Sequence, residues 1–199
     1  MPPDIKQPTG LRERKKARTR TTIQEHALRL FEQQGYDATT VQQIADAAEV
    51  SESTFYRYFP TKEDVVMHDR YDPLLLAAFA AQPRELSPVT ALRGALATVF
   101  GDLHAAELEQ ERLRSQLIFS VPALRARMLE QLTDSVDMLA HAVADRAGRR
   151  PDELRVRNLV GAVTGAVIVA LLTAAEDPTA DYRTTVDAAL AHLEAGLPL

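Results

Sequence analysis

A short polar and aromatic stretch, SESTFYRYF at residues 51–59, carries the side chains with the clearest capacity for molecular recognition. If this stretch is helical, Phe55 and Phe59 lie four residues apart on one buried face. The outward face then presents hydroxyl, carboxylate and guanidinium groups from Ser51, Glu52, Ser53, Thr54, Tyr56 and Arg57. Such groups hydrogen-bond to DNA phosphates and to base edges in the major groove. An ordinary solvated helix face favours Glu, Lys, Gln and Ala, so this face is typical of a contact surface.

Two short helices are expected to position these side chains. Thr40 and Gln43 form a T-x-x-Q capping box, which predicts a helix over Val41 to Ala48. After a short turn, Ser51 caps a second helix that is stopped by Pro60. The pair has the proportions of a helix-turn-helix, in which the first helix crosses the DNA backbone and the second lies in the major groove. Periodicity alone leaves a generic helical hairpin of a bundle as an equal alternative.

A longer pattern includes both of these helices. It is Thr40-Val41-x-x-Ile44-Ala45-x-x-Ala48-x-Val50-Ser51-x-x-x-Phe55-Tyr56-x-Tyr58-Phe59-x-x-Lys62-Glu63. This pattern resembles the N-terminal signature of TetR-family transcriptional regulators, and the resemblance covers residues 18–68. It implies a layout of about nine helices and a homodimer that binds a palindromic operator. One departure is Glu49, which stands in the turn where the family usually has Gly; a left-handed backbone there would cost about 1 kcal/mol.

The resemblance also assigns DNA contacts to positions of this chain. Thr40 and Lys62 are placed on phosphates, with a helix N-terminus assisting at Thr40. Glu52 is the expected partner of a cytosine amine and Arg57 of a guanine, although Arg57 is equally suited to a phosphate. With two residues of the basic segment described next, the predicted DNA-binding residues are Arg18, Arg20, Thr40, Ser51, Glu52, Ser53, Thr54, Tyr56, Arg57, Tyr58 and Lys62.

Charge is unevenly distributed along this chain of 199 residues, whose formal net charge is -5. Residues 1–62 hold ten Lys/Arg against eight Asp/Glu, whereas residues 63–199 hold thirteen against twenty. Near the start of the first predicted helix, Glu13 stands among six cations, Arg12, Arg14, Lys15, Lys16, Arg18 and Arg20. The asymmetry predicts a local phosphate-facing surface on an otherwise acidic body, although a solvated helix start would carry the same charges.

The whole chain is predicted to be helical. Apolar residues recur at spacings of three and four, without runs of alternating β-branched residues, so the predicted fold class is all-α. We expect a disordered tail at residues 1–11, a helix-turn-helix DNA-binding domain at 12–62, and a helical ligand-binding and dimerisation domain at 63–199. The predicted helices cover residues 18–34, 41–48, 51–59, 61–81, 88–106, 108–119, 122–147, 152–175 and 179–196.

The stretch from Leu159 to Ala175 contains no charged residue. It is short and only weakly apolar for the ~30 Å of a bilayer core, so we predict a buried helix and no membrane partner. A bundle of this size covers one side of such a helix, and a second subunit is expected to cover the rest, along the helices at 152–175 and 179–196. Gly161 and Gly165 would permit that close approach, although a plain core helix can carry the same small residues.

The sequence pattern for a ligand site is shorter and less specific than that for the DNA-binding helices. The segment from Arg112 to Arg127, together with Lys62 to Val66, resembles the TetR branch with an acyl-CoA-like ligand domain. That resemblance implies an elongated apolar pocket among the helices of residues 88–175. Basic residues for its mouth are Arg112, Arg114, Arg125 and Arg127, with solvated surface charge as the alternative. The polar residues predicted to orient a ligand are His104, Gln116, Asn158 and Thr164, with satisfied core hydrogen bonds as the alternative. Ligand binding is expected to act on the spacing of the two DNA-binding domains through the helix at 61–81.

Other classes of function find little support. The chain has no Cys, which excludes disulfides and thiolate chemistry, and it contains no P-loop, G-x-S-x-G or H-E-x-x-H motif. Its five histidines stand singly, so we expect no metal, no cofactor and no enzymatic activity. The first residues lack the apolar core of a secretory signal, and we expect a cytoplasmic protein. The alternative class is a helical small-molecule-binding protein or enzyme without DNA binding. Within the regulator class, a repressor released by ligand and a regulator that requires ligand both remain open.

Overall fold

The computed structural model describes residues 10–101, 103–177 and 180–199, and these residues form ten α-helices and no strand. The predicted all-α class is confirmed. Of the predicted disordered tail, residues 1–9 lie outside the described residues. The helices are α1 (Leu11–Gln34), α2 (Val41–Ala47), α3 (Glu52–Tyr58), α4 (Lys62–Met67), α5 (Asp72–Ala81), α6 (Pro88–Gly101), α7 (Ala105–Ser120), α8 (Pro122–Ala147), α9 (Leu154–Glu176) and α10 (Tyr182–Glu194).

Helix α1 begins earlier than the sequence pattern predicted. Its first residue is Leu11 and not Arg18, a difference of about two turns. The intervening residues are mostly Arg, Lys, Glu and Ala, which are strong helix formers, and Gly10 in an extended conformation precedes them. The prediction was wrong because it followed apolar periodicity, which starts later. The basic segment is therefore the N-terminal part of α1.

The predicted single helix over residues 61–81 is also wrong, because it is two helices, α4 and α5. Pro73 lies at the start of α5 and has no N–H with which to continue a helix that entered from α4. The end of α4 is held by Gln24 of α1, whose Nε2 donates to the carbonyls of Val65 and His68 at 2.9 and 2.7 Å. This break accounts for the helix beyond the predicted number of about nine in the described part of the chain.

The chain forms two compact units. Unit 1 comprises residues up to His68 together with Gln116–Met128, and unit 2 comprises Asp69–Ser115 and Leu129–Leu199. Unit 1 is thus discontinuous, because the end of α7 and the start of α8 belong to it. These units do not follow the predicted boundary between residues 62 and 63, and the assignment of DNA binding and ligand binding to separate domains stays a prediction.

In unit 1, the first four helices pack around an apolar core. Phe55 and Phe59 are 0% and 2% exposed, as the spacing of the recognition stretch predicts. Arg127, in the first turns of α8, donates from Nη2 to Asp64 Oδ1 of α4 at 3.3 Å. The other buried apolar residues are Ile23, Ala27, Leu28, Phe31, Tyr36, Ile44, Ala45, Ala48, Val65, Val66, Leu117, Ile118 and Leu124.

In unit 2, two apolar clusters share helices α6 and α9. One cluster joins α5, α6, α8 and α9 around Phe79, Ala95, Ala140 and Val160. The second joins α6, α9 and α10 around Val163 and Leu190. This packing leaves the far side of α9 outside both clusters.

Helix α9 is exposed over much of its length in the single chain. It is the one helix among the described residues that is long and apolar enough to cross a membrane, with a mean hydropathy of 2.0, and 22% of that apolar window is buried. Val169 is 62% exposed and Leu172 38%. In a single chain the bundle covers one side of α9, as predicted, and cover of the other side by a second subunit stays a prediction.

Candidate nucleic-acid interface

The predicted capping box at the start of α2 is confirmed. Thr40 Oγ1 accepts from the N–H of Gln43 at 3.2 Å, and Gln43 Oε1 accepts from the N–H of Thr40 at 2.9 Å. Thr40 is exposed. Because Oγ1 serves as the acceptor in this cap, its own proton remains available to an incoming phosphate.

The turn between α2 and α3 has a left-handed residue at the position where the family pattern usually has Gly. Glu49 has φ +55°. The N–H of Glu49 donates to the carbonyl of Asp46 at 3.1 Å and the N–H of Val50 to that of Ala45 at 2.9 Å, which together make a Schellman motif. The turn therefore keeps its geometry with Glu in place of Gly, at a conformational cost.

We expect Glu49→Gly to stabilise the chain by about 0.5–1 kcal/mol. Gly occupies the left-handed region without strain, although it also loses more entropy on folding. Urea denaturation of the full chain measures the difference. Glu49→Ala is the matched control, because it removes the same carboxylate and keeps the strain. Equal stability of the Gly and Ala variants would show that the turn is unstrained.

Helix α3 presents the polar face that the sequence predicts. Ser51, Glu52, Ser53, Tyr56 and Arg57 are exposed, whereas Thr54 and Tyr58 are half-buried. The face is fixed from behind by the buried Phe55 and Phe59. Rigid backing of this kind holds a contact surface in one orientation.

Hydrogen bonds organise the exposed hydroxyls of this face. Ser51 Oγ accepts from the N–H of Thr54 at 3.2 Å, which confirms the predicted cap. Ser51 Oγ also lies 2.9 Å from Ser53 Oγ and 3.0 Å from Thr54 Oγ1. Arg57 Nη2 donates to Thr54 Oγ1 at 3.5 Å, and its guanidinium lies over the ring of Tyr58. The guanidinium is thus oriented while its other donors remain free for a ligand.

Lys62 has a role that the sequence pattern did not predict. Its Nζ donates to the carbonyls of Tyr36 and Thr39, at 2.8 and 3.1 Å, and lies 4.1 Å from the centre of the Tyr36 ring. Tyr36 in turn donates from its hydroxyl to Glu63 Oε1 at 2.9 Å, and burial together with this carboxylate raises the pKa of Tyr36. Lys62 and Glu63 therefore tie α4 to the loop that presents Thr40. Contact of Lys62 with a phosphate stays a prediction.

Arg20 is likewise engaged inside unit 1. Its Nη2 donates to the carbonyl of Tyr58 at 3.3 Å, and its guanidinium lies over the Phe59 ring. It therefore supports the C-terminal end of α3 from α1. Arg18 is exposed on α1. The sequence predicted DNA contacts for both Arg18 and Arg20. Only the packing distinguishes them, since Arg20 is half-buried and Arg18 is exposed.

The N-terminal turns of α1 and the end of α3 enclose an open groove of about 600 Å³. Its lining residues are Arg12, Glu13, Lys15, Lys16, Thr19, Arg57 and Tyr58, and we call it the α1–α3 groove. The structure thus brings part of the predicted basic segment next to predicted DNA-contacting residues of α3.

The predicted ligand residues are more dispersed. His104 and Asn158 are exposed, whereas Gln116 and Thr164 are half-buried, and contact of these four residues with a ligand stays a prediction. Gln116 belongs to unit 1 and the other three to unit 2. An open groove of about 390 Å³ lies between α6 and α10, and none of the four lines it.

Of the four arginines predicted for the pocket mouth, three form ion pairs within the protein and one is exposed to solvent. Arg112 pairs with Glu109, Arg127 with Asp64, and Arg125 is exposed. Arg114 is buried with Asp69 and Glu111 in unit 2. Burial of Arg114 contradicts the alternative of a solvated charge at that position.

Comparison with known proteins agrees with this architecture. Residues 23–67 match the family of bacterial regulatory proteins of the TetR type, and residues 86–198 match the MftR C-terminal domain. The transcriptional regulator TcmR of Streptomyces glaucescens is 37% identical over 159 residues, which are 76% of this chain and 70% of TcmR.

Two solved structures share the fold. The fatty acid degradation regulator FadR of Bacillus halodurans has a TM-score of 0.61 at 23% identity, over 96% of this chain and 98% of FadR. Thermus thermophilus FadR, a repressor solved with lauroyl-CoA, has a TM-score of 0.52 at 24% identity, over 90% and 95% of the two chains. The chain therefore belongs to the TetR family of bacterial regulatory proteins, which are transcriptional regulators and not enzymes.

Proposed function

We propose that this regulator binds a palindromic operator as a homodimer, reads it with α3, and is released from it by a small-molecule effector. The observation that carries the proposal is the exposed face of α3, whose hydroxyls and guanidinium are backed by the buried Phe55 and Phe59. As a DNA-binding regulator, it would act in the cytoplasm.

In the proposed complex, α3 lies in the major groove and α2 crosses the DNA backbone. Thr40 contacts a phosphate at the start of α2, where its Oγ1 proton is available. Glu52 and Arg57 contact bases, and the neighbouring hydroxyls of α3 contact phosphates or bases. The contacts of Arg57 with Thr54 and Tyr58 place its guanidinium beside the exposed hydroxyls of α3.

We expect Arg57→Ala to reduce discrimination at one base pair by about 1–3 kcal/mol. The reason is that a bidentate guanidinium contact with guanine is lost, whereas phosphate contacts remain. Fluorescence anisotropy with DNA from upstream of the chain's own gene, and with single base substitutions in it, measures the change. Arg84→Ala is the control, since Arg84 is an exposed arginine outside unit 1. An equal loss for all sequences would instead identify Arg57 as a phosphate contact.

A second copy of the chain is the proposed cover for the exposed side of α9, with α10 beside it. Val169 and Leu172 are exposed there. No heavy atom lies within 4 Å of where a Cβ would stand on Gly161 or Gly165, which leaves room for a partner helix. Two-fold pairing would hold two copies of α3 about 34 Å apart, the separation of successive major grooves on one DNA face.

The proposed effector is an apolar or acyl-CoA-like small molecule bound by the helices of residues 88–175. Support comes from the shared fold with T. thermophilus FadR, which was solved with lauroyl-CoA. Of the predicted ligand residues in unit 2, the half-buried Thr164 fits a polar contact better than the exposed His104 and Asn158. Native mass spectrometry tests for a co-purifying small molecule. Operator binding measured with and without lauroyl-CoA then distinguishes a repressor that ligand releases from a regulator that requires ligand to bind DNA.

A further inference from the structure

The loop that joins α1 to α2 is held by buried side chains of unit 1. Tyr36 is 7% exposed and Thr39 is 1% exposed. The Tyr36 ring packs against Phe31 of α1, with the ring centres 5.0 Å apart. Thr39 Oγ1 donates to the carbonyl of Gly35 at 2.8 Å. Thr40, the next residue, is exposed and caps α2, so the position of its hydroxyl depends on how firmly this loop is fixed.

Lys62 of α4 is the side chain that fixes this loop from the other side. Its Nζ donates to the carbonyl of Tyr36 at 2.8 Å and to the carbonyl of Thr39 at 3.1 Å. The Tyr36 ring lies 4.1 Å from the same Nζ in a cation–π contact. An ammonium group has three N–H donors, so these contacts occupy most of its capacity. Binding of a phosphate by Lys62 would compete with both carbonyls.

The positive charge of Lys62 is also balanced inside the protein. Glu63, the next residue, accepts a hydrogen bond from the Tyr36 hydroxyl at 2.9 Å. Burial opposes ionisation of Glu63, yet hydrogen bonds and the charge of Lys62 lower the pKa of Glu63 overall. Glu63 is therefore anionic at neutral pH, and its charge reduces the attraction of Lys62 for an approaching polyanion.

We infer that Lys62 is a positioning residue for operator binding, which holds the loop before α2 so that Thr40 meets a phosphate, and that Lys62 itself neutralises no phosphate. This inference rests on the proposed operator binding and on the phosphate contact proposed for Thr40. It gives Lys62 a different role from the phosphate contact that the family resemblance implies. Counterions are released by cationic side chains, so a contribution that acts through a neutral hydroxyl should be independent of salt.

The test is a double-mutant cycle on the full chain, with Lys62→Met, Thr40→Ala and the double variant. Fluorescence anisotropy measures affinity for DNA from upstream of the chain's own gene at several salt concentrations. Arg84→Met is the control, because it removes one exposed positive charge outside unit 1. Circular dichroism verifies that each variant folds as the parent does.

We expect Thr40→Ala and Lys62→Met each to weaken operator binding by about thirtyfold, which corresponds to one hydrogen bond lost from each of two copies. The double variant should bind within about twofold of Thr40→Ala, because residues that act through the same contact are not additive. The slope of log affinity against log salt concentration should keep its parental value in Lys62→Met, as in the control.

Three outcomes would overturn the inference. Direct phosphate contacts by Lys62 in two copies would lower the slope by about 1.8 in Lys62→Met. Independent contacts would multiply to a loss of about a thousandfold in the double variant. The third outcome is unchanged affinity in Lys62→Met. If the parent binds no duplex DNA, the proposed operator binding itself fails.

A second variant keeps the test available if Lys62→Met does not fold. Tyr36→Phe then takes its place in the cycle, since the Tyr36 hydroxyl is buried against Glu63 and does not face DNA. Tyr36→Phe should weaken operator binding in the parent and have almost no effect in Thr40→Ala. Equal losses in both backgrounds, or no loss in either, would contradict positioning of Thr40 by this network.

Discussion

Replacing Arg114 with Met is expected to lower the free energy of unfolding by about 3–5 kcal/mol. Arg114 is 8% exposed, and its Nη2 and Nε lie 2.8 Å from Asp69 Oδ2 and from Glu111 Oε2. Burial opposes the charged form, yet these two carboxylates raise the pKa of the guanidinium. Glu111 is 5% exposed, so the Met variant would leave an uncompensated charge in the interior.

The carboxyl groups around Arg114 should make the loss of stability in Arg114→Met depend on pH. Burial and the neighbouring Asp69 raise the pKa of Asp72 to about 6, which shows that another carboxylate is poorly accommodated even with Arg114 present. Arg114 opposes this rise, so without Arg114 the pKa of Asp72 should rise further. A carboxyl group whose pKa is raised in the folded state stabilises folding as the pH falls. The difference in the free energy of unfolding between variant and parent should therefore narrow from about pH 7 to about pH 5.

Urea denaturation at both pH values measures these differences. Arg150→Met is the control, because its ion pair with Asp152 is exposed and such pairs contribute about 0–1 kcal/mol. If Arg114→Met were no more destabilising than Arg150→Met, or if its effect were independent of pH, Arg114 would not be compensating buried charge.

Val169→Asp is expected to make the chain monomeric and to weaken operator binding by at least about a hundredfold. Val169 is 62% exposed on the apolar side of α9, and in the proposed dimer it would be covered by the partner. A carboxylate there would be desolvated in both copies without a counter-charge, and unpaired buried charges cost several kcal/mol. Loss of the dimer removes one of two operator contacts, and about 2.7 kcal/mol corresponds to a hundredfold.

Analytical ultracentrifugation and operator binding measure this prediction together. Leu129→Asp is the matched control, because Leu129 is an exposed aliphatic residue, 61% accessible, on α8. The control should remain dimeric and bind the operator. A dimeric Val169→Asp variant with full affinity would exclude this side of α9 from the interface.

The local features of the DNA-binding helices were predictable because neighbouring residues determine them. Thr40 and Gln43 cap each other, Ser51 caps α3, and Phe55 and Phe59 share one face at a spacing of four. The left-handed turn at Glu49 was also predictable, from the resemblance to a pattern with Gly there. Each feature depends on contacts within a few residues along the chain.

The helix predictions that differ from the structure also have specific physical causes. Apolar periodicity placed the start of α1 too late because the exposed turns from Leu11 onward carry no apolar stripe. The prediction joined α4 to α5, and the sequence did not show that the carbonyls at the end of α4 are bound by Gln24, more than 40 residues away along the chain. The one-sided cover of α9 in a single chain was expected, since an apolar sequence indicates that cover is needed but not which molecule supplies it.

By itself, the sequence determined the all-helical class, the family, the caps of the DNA-binding helices and the polar face of α3, since these depend on residue type and short spacing. The tertiary structure decided which cations remain free. Arg20 and Lys62 resemble Arg12 and Lys16 in charge, yet the former donate to carbonyls of distant loops and helices and the latter line an open groove. Charge belongs to a residue, whereas the availability of that charge depends on which polar atoms the fold brings within hydrogen-bonding distance.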